Sequence, residues 1–286
     1  MILTKNQSEI SSVIEKARLK KPDLVVGFVP TMGALHQGHI SLINVANKQC
    51  DIVICSVFVN PTQFNNSDDL ETYPRNFSAD QKLLNDNGCT ILLLPSVADV
   101  YPNGIEPYNI DLEGLDQGME GAFRPGHFKG VCMVVERLFN MVKPNKAFFG
   151  NKDFQQLAII RKLVSIKNIP VDIVGVPIKR SEKGLALSSR NALLTADQLD
   201  KAPLIYNALL AGLQFAIKQP KATEIKNYIL QFFEKSEVLE VEYVAIVNND
   251  DLKPVEIVNK NCSVCIVVFC GKVRLIDNMQ FATVLN

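Results

Sequence analysis

Short apolar runs alternate with longer stretches of helical spacing through the first half of this chain, and that alternation leaves few folds open. The runs lie at 24–29, between Pro22 and Pro30, then at 52–59, 90–94 and 146–149, and at 171–176, between Pro170 and Pro177. A strand with one wet face alternates apolar and polar side chains; a strand that is apolar throughout is covered on both faces. Helical spacing fills the intervals at about 38–48, 76–87, 127–142 and 153–166. Buried strands alternating with helices predict an α/β fold, a Rossmann-type parallel sheet with helices packed on it. The pattern changes past Pro177. A polar loop at 179–184 precedes two helical stretches, about 196–218 and 222–235, and then β-branched runs near 241–247, 263–269 and 272–276. Helices followed by antiparallel-type strands predict a smaller α+β C-terminal domain. The expected division is residues 1–178 and residues 179–286.

At 286 residues, 47% of them hydrophobic and 21% charged, the chain reads as an ordinary globular protein with a large core. Lys and Arg number 30, as do Asp and Glu. Zero net charge gives no field to gather nucleic acid or hold an anionic membrane, so any anion must be bound by a local constellation. No apolar run approaches the ~18 residues a membrane span needs. The opening Met1-Ile2-Leu3-Thr4-Lys5-Asn6 lacks the basic and apolar regions of a secretory signal, which points to a cytoplasmic protein. The cysteines (Cys50, Cys55, Cys89, Cys132, Cys262, Cys265 and Cys270) sit mostly inside apolar runs and read as reduced core thiols. Cys262 and Cys265 have CxxC spacing. On a strand, however, positions three apart face opposite ways, and no second Cys or His pair follows, so no zinc site is expected. Asn65-Asn66-Ser67, Asn76-Phe77-Ser78 and Asn261-Cys262-Ser263 match glycosylation sequons, which carry no weight without a secretory signal.

The strongest chemical signal is the loop after the first apolar run, Pro30-Thr31-Met32-Gly33-Ala34-Leu35-His36-Gln37-Gly38-His39. In parallel sheets ligands bind at the carboxyl ends of strands, where this loop lies. Gly33 and Gly38 allow close approach of the backbone to a ligand. The helix that follows offers unpaired N–H groups and a positive dipole end to phosphates. Two of the chain's 3 histidines are here, three positions apart across the helix entry. Imidazoles can donate to phosphate oxygens as negative charge builds on them. Taken alone, the loop is also compatible with a plain strand-to-helix turn carrying two surface histidines.

The loop resembles the HxGH signature of the nucleotidyltransferase superfamily, which includes the class I aminoacyl-tRNA synthetases. Further blocks narrow the match. Phe58-Val59-Asn60-Pro61-Thr62-Gln63-Phe64, Tyr73-Pro74-Arg75, Tyr101-Pro102-Asn103-Gly104, Arg124-Pro125-Gly126-His127-Phe128, Phe149-Gly150-Asn151-Lys152-Asp153-Phe154-Gln155-Gln156 and Leu185-Ala186-Leu187-Ser188-Ser189-Arg190-Asn191 resemble, in order, the blocks of the pantothenate synthetase family. Arg274-Leu275-Ile276-Asp277-Asn278 is similar to that family's C-terminus. Co-ordered blocks are far more specific than any one of them.

The resemblance implies an ATP-dependent ligase that joins D-pantoate to β-alanine, giving pantothenate, AMP and pyrophosphate through a pantoyl-adenylate. It implies ATP as cosubstrate, small-molecule partners and a homodimer; Mg²⁺ is expected because ATP normally reacts as its magnesium complex, the chain shows no dedicated carboxylate cage for it, and neither nucleic acid nor membrane is expected as a partner. It makes His39, His36, Lys152 and Arg190 the catalytic set. ATP contacts would come from Pro30, Met32, Gly33, Ala34, Leu35, His36, Gln37, Gly38 and His39, from Gly150, Asn151, Lys152 and Asp153, and from Lys179, Leu187, Ser188, Ser189 and Arg190. Gln63 and Gln156 would contact pantoate, with Arg124 and His127 bordering its pocket. The residues themselves leave other readings open. Gln63 suits a surface turn, Asp153 and Gln156 a capping box, Ser188–Arg190 an exposed polar cluster, and Arg124 and His127 structural roles. An enzyme moving a whole nucleotide to a phosphorylated acceptor would share the HxGH loop, but would not call for both glutamines. Two positions depart from the family: Gln37 stands where an acidic residue is common, and Asn151 where Glu is usual before Lys152.

Overall fold

A six-stranded sheet contains β1 (Ile2–Thr4), β2 (Val26–Thr31), β3 (Ile52–Val57), β4 (Ile91–Leu93), β5 (Lys146–Gly150) and β6 (Asp172–Val176), in the order β1-β4-β3-β2-β5-β6. Every neighbouring pair is parallel. The structure is a computed structural model, and it describes residues 1–64, 70–71 and 73–285. The sequon Asn65-Asn66-Ser67 lies outside the described residues.

The chain divides into two compact units. The first is Met1–Asn151 with Gln156–Pro177, and the second is Lys152–Gln155 with Ile178–Asn286. In the first, β2 and β3 are apolar along their length because both faces are covered; Val26, Phe28, Val29, Val53, Ile54 and Cys55 are essentially inaccessible. From β2 the chain steps outward to β3 and β4, and β5 and β6 are laid on β2's other side. The order therefore reverses between β2 and β5, and such a switch point opens a crevice at the strands' carboxyl ends. The helix His127–Val142 keeps the expected bounds because Lys143 turns left-handed (φ 49°) and Pro144 cannot continue it. β1 and the helix Gln7–Arg18 were not expected. Asn6 caps that helix by accepting from the Glu9 N–H, and the Glu9 carboxylate accepts from the Lys5 N–H.

In the second unit, an antiparallel sheet runs β7 (Leu239–Asn248), β8 (Cys262–Cys270), β9 (Val273–Gln280). The single helix expected at 196–218 is two, Ala196–Lys201 and Leu204–Ala216, because Pro203 has no N–H to carry the ladder on. The helix Ala222–Gln231 is shorter than the expected 222–235. Along β8 alternate residues Cys262, Val264, Ile266, Val268 and Cys270 enter this unit's core, so Cys265 lies on the opposite face and the CxxC thiols do not converge. All seven cysteines are free thiols. Among the described residues no helix is long and apolar enough to cross a membrane.

Candidate active site

The loop after β2 is held in an unusual backbone shape by a carboxylate from elsewhere in the chain. Gly33 (φ 84°) and Ala34 (φ 50°) are both left-handed, which only glycine adopts freely. The next amides then point together. Asp80, from the helix Phe77–Asp86, accepts the N–H of Ala34 at 2.9 Å and of Leu35 at 2.7 Å. A Cβ on Gly33 would sit 3.0 Å from the Asp80 carboxylate and 3.0 Å from the Val57 side chain, so besides its left-handed φ any larger residue here would have to push those side chains aside. Asp80 is buried, and burial pushes its carboxyl above the usual range, against the lowering effect of the two N–H donors. Upstream, Thr31 Oγ1 donates to the Ser56 carbonyl at 2.6 Å and accepts from the Gly33 N–H at 3.2 Å.

The three-residue spacing of His36 and His39 is the spacing of a capping box. His36 is the N-cap of the helix Gln37–Asn47, and its Nδ1 accepts from the Gly38 N–H at 3.0 Å. His39 Nδ1 accepts from the His36 N–H at 3.3 Å. A backbone N–H can only donate, so each Nδ1 carries a lone pair and each ring carries its proton on Nε2. The rings lie 4.2 Å apart, centroid to centroid. The loop thus presents two neutral imidazoles with Nε2–H donors at a helix N-terminus beside the switch point, an arrangement suited to a phosphoryl group.

Gln63 stands on a short turn, Pro61–Gln63, after β3, and it is buried. Its orientation is fixed at both ends. The Asn60 amide accepts from Tyr101 OH at 2.8 Å, and donates to Gln63 Oε1 at 3.3 Å and to the Gly130 carbonyl at 3.2 Å. Gln63 Oε1 is therefore turned toward Asn60, and its Nε2 lies 2.7 Å from Met32 Sδ, which joins this turn to the loop after β2. His127 donates from Nδ1 to the Gln63 carbonyl at 2.8 Å, because that oxygen can only accept. Its Nε2 then accepts from Arg124, 3.2 Å away. His127 and Arg124 thus grip the backbone of Gln63, and Gly130 lets the helix of His127 approach that backbone closely. Gln156 is half-buried on the helix Phe154–Lys167.

Gly150 ends β5, the central neighbour of β2, and Asn151 follows with its N–H donated to the Val176 carbonyl at 2.8 Å. Lys152 and Asp153 group with the second unit. Lys152 Nζ lies 3.8 Å from Asp153 Oδ1, so a carboxylate does stand beside this ammonium, from the residue after it. Also in the second unit, residues 179–187 form a tight hairpin. Leu187 N–H donates to the Lys179 carbonyl at 2.9 Å and Ser181 N–H to Leu185 at 2.8 Å. It leads into Ser188, which caps the turn Ser189–Leu193 by accepting from the Arg190 N–H at 3.2 Å, while Asn191 accepts from the Ser188 N–H. Among the described residues no three His, Cys, Asp or Glu side chains gather as a metal cluster. The sequence reading missed Asp80 and Asn60. Nothing local marks Asp80, whose partners lie 45 and 46 residues away. Asn60 lies inside one of the family-like blocks, but its residue type alone assigns it no role.

Comparison with known proteins agrees with this architecture. The family model described as Pantoate-beta-alanine ligase matches residues 2–280. The pantothenate synthetase of Bacteroides fragilis is 47% identical over 281 residues, covering 96% of this chain and 95% of its own. The crystal structure of pantothenate synthetase from Thermus thermophilus superimposes with a TM-score of 0.90 at 38% identity, covering 98% of this chain and 99% of that one. The pantoate-beta-alanine ligase of Francisella tularensis, solved with beta-gamma ATP and beta-alanine, gives a TM-score of 0.78 at 36% identity, covering 99% and 98%. With a family model spanning nearly its whole length, relatives close to half identical and the same six-stranded parallel sheet, this chain belongs to the pantoate–β-alanine ligase family.

Proposed function

We propose that this enzyme condenses D-pantoate with β-alanine at the expense of ATP, through a pantoyl-adenylate. A carboxylate is a poor electrophile at neutral pH. Its oxygen attacks the α-phosphorus of ATP and pyrophosphate leaves, which turns that oxygen into part of a good leaving group. The neutral amine of β-alanine then attacks the acyl carbon, AMP leaves, and the amine gives up a proton to solvent. The adenylate hydrolyses readily, so holding both partners in line and excluding water are the protein's main tasks.

The observation that carries the reading is the pair of imidazoles whose Nδ1 atoms are taken up by capping, which makes Nε2–H the donor of each ring. His36 and His39 stabilise the charge that develops on the α-phosphate. The backbone from Pro30 through Met32, Gly33, Ala34, Leu35, Gln37 and Gly38, with Gly150 and Asn151, lines the nucleotide. Lys152, with Asp153 beside it, takes the departing phosphates, as do Ser188, Ser189 and Arg190, with Lys179 and Leu187 alongside. Gln63 and Gln156 hold pantoate by their amides. With Gln63 Oε1 turned to Asn60 and one N–H directed at Met32 Sδ, its other N–H is what it offers the acid. Arg124 and His127 act on the acid through Gln63. Mg²⁺ bound with the nucleotide would supply charge neutralisation as pyrophosphate leaves, with no dedicated protein cage among the described residues to hold it. A homodimer working in the cytoplasm completes the proposal.

The test is ATP–pyrophosphate exchange. Exchange that requires pantoate, followed by AMP release on adding β-alanine, supports the ligase. Exchange that requires a phosphorylated acceptor instead would replace it with a nucleotidyl transfer. Sedimentation equilibrium tests the dimer.

A further inference from the structure

The C-terminal block Arg274–Asn278, similar to the family's own, has no part in the chemistry above, yet it touches the segment that carries Lys152. In β9, Val273 and Leu275 point into the core of the second unit. Alternation puts Asp277 on that same side, where it is buried. Its carboxylate is met by Arg180, with Nη1 at 2.5 Å and Nη2 at 2.9 Å, a bidentate pair. Arg180 also donates to the Gly184 carbonyl at 3.1 Å and lies over the Tyr206 ring at 4.6 Å. This pair, with its carboxylate buried, therefore fixes the base of the hairpin leading to Ser188.

Asn278 follows, and the same carboxylate accepts its backbone N–H at 2.7 Å. Its side-chain amide donates to the backbone carbonyl of Lys152 at 2.9 Å, across 126 positions of sequence. Burial raises the Asp277 carboxyl, and the Arg180 hydrogen bonds and charge oppose that. Lys152–Gln155 groups with the second unit although the residues on either side group with the first, and Asn278 supplies a bond that does this.

We infer that Asn278 is a positioning residue for Lys152: held by Asp277, which is buried and paired with Arg180, its amide fixes the Lys152 backbone and so sets where the ammonium stands during adenylation. The inference rests on the ligase reading and on Lys152's place in it. A lysine stem has enough freedom that an unfixed backbone would spread the ammonium over many positions, and charge stabilisation depends on pre-set placement.

The experiment measures pantoate-dependent ATP–pyrophosphate exchange for wild type, Asn278→Ala, Lys152→Ala and the double variant. Asn278→Ala is expected to lower kcat about tenfold with the KM for pantoate within about twofold, the split expected when an interaction made in the transition state is lost. In the Lys152→Ala background the same change is expected to alter kcat by less than about twofold, because residues acting through one another are non-additive. If Asn278→Ala does not fold, Asn278→Asp, equal in shape but without the donated N–H, is read the same way. A wild-type kcat in the folded variant, or a full tenfold loss repeated in the Lys152→Ala background, overturns the inference while the ligase reading stands. Wild-type protein that shows no pantoate-dependent exchange overturns the ligase reading, and this inference with it.

Discussion

A single methyl group at Gly130 should separate acid binding from nucleotide binding. Gly130 lies on the helix His127–Val142, against the turn that carries Gln63. A Cβ there would stand 2.4 Å from the Thr62 carbonyl oxygen, 2.7 Å from its carbon and 3.0 Å from Gln63 Cα, whereas ordinary van der Waals contact begins near 3.4 Å. All three obstacles are backbone, so none can rotate away, and helix and turn must part by about 1 Å. Overpacking of this kind costs roughly 1–3 kcal/mol. The bond from Asn60 to the Gly130 carbonyl, already 3.2 Å long, would stretch past useful length, a further loss of about 1 kcal/mol. Gln63 is held by Asn60 at one end and His127 at the other, so its amide shifts with the turn. A displacement of about 1 Å in a positioning group can cost on the order of 10²-fold in rate. Gly130→Ala is therefore expected to raise the KM for pantoate by about tenfold or more, with the KM for ATP within about twofold, since loss of substrate contact appears in that substrate's KM. Initial rates of ATP–pyrophosphate exchange over both substrates measure this, with circular dichroism confirming the fold. A folded variant whose pantoate KM matches wild type would refute the argument that backbone packing at Gly130 places Gln63.

His39→Ala and Lys152→Ala are each expected to lower turnover by about 10²-fold or more with folding intact, since one charge-stabilising donor is worth roughly 3 kcal/mol; a loss under about tenfold removes that residue from the catalytic set. Asp80 bears on pH dependence. Burial raises its folded carboxyl above the unfolded value of 3.8, so the folded state holds this proton more tightly. Its contribution to stability is then full below 3.8 and is lost as pH rises through the folded value, and Asp80→Asn should flatten that limb of the melting-temperature profile. An unchanged profile would mean that Asp80 is not the group responsible. Thiol labelling tests the core. Burial pushes Cys89 to about 11 and Cys132 to about 12 and also raises Cys50 above its ordinary 9.0, so in native protein at pH 8 labelling by a maleimide is expected to be slow and to begin at Cys50, the half-buried thiol, the others following in denaturant. Mass spectrometry of labelled peptides reads the order.

Much of this architecture was visible in the residues because burial on both faces leaves an unmistakable record. The runs that became β2 and β3 are apolar along nearly all their length, and the helix His127–Val142 carries its own stop signals. What escaped notice was short or marginal. β1 spans only Ile2–Thr4 at the sheet edge, so its apolar run, Met1-Ile2-Leu3, is too short to announce a strand. β9 runs past its expected end because Asp277 and Asn278, polar residues that normally close a strand, are buried and answered by partners remote in sequence. The site divides the same way. His36 and His39 were legible from their place at a strand-to-helix turn, but the proton position on each ring depends on which backbone N–H faces it. Asp80 could not be read at all, because a carboxylate that shapes a loop from a distant helix looks like any other acidic residue on a helix.

The capping role of the two histidines has a consequence for what could ever replace them. An asparagine at either position could copy the short acceptor that closes the helix, but it would not reach as far as Nε2. A glutamine could reach, but it would not place its acceptor rigidly on the helix entry. Only the neutral imidazole carries an acceptor and a donor on opposite sides of one stiff ring. Local folding and the proposed phosphate chemistry therefore make their demands on the same side chains through different ring nitrogens, Nδ1 and Nε2. A change that spares one demand still fails the other, so neither histidine can drift by small steps.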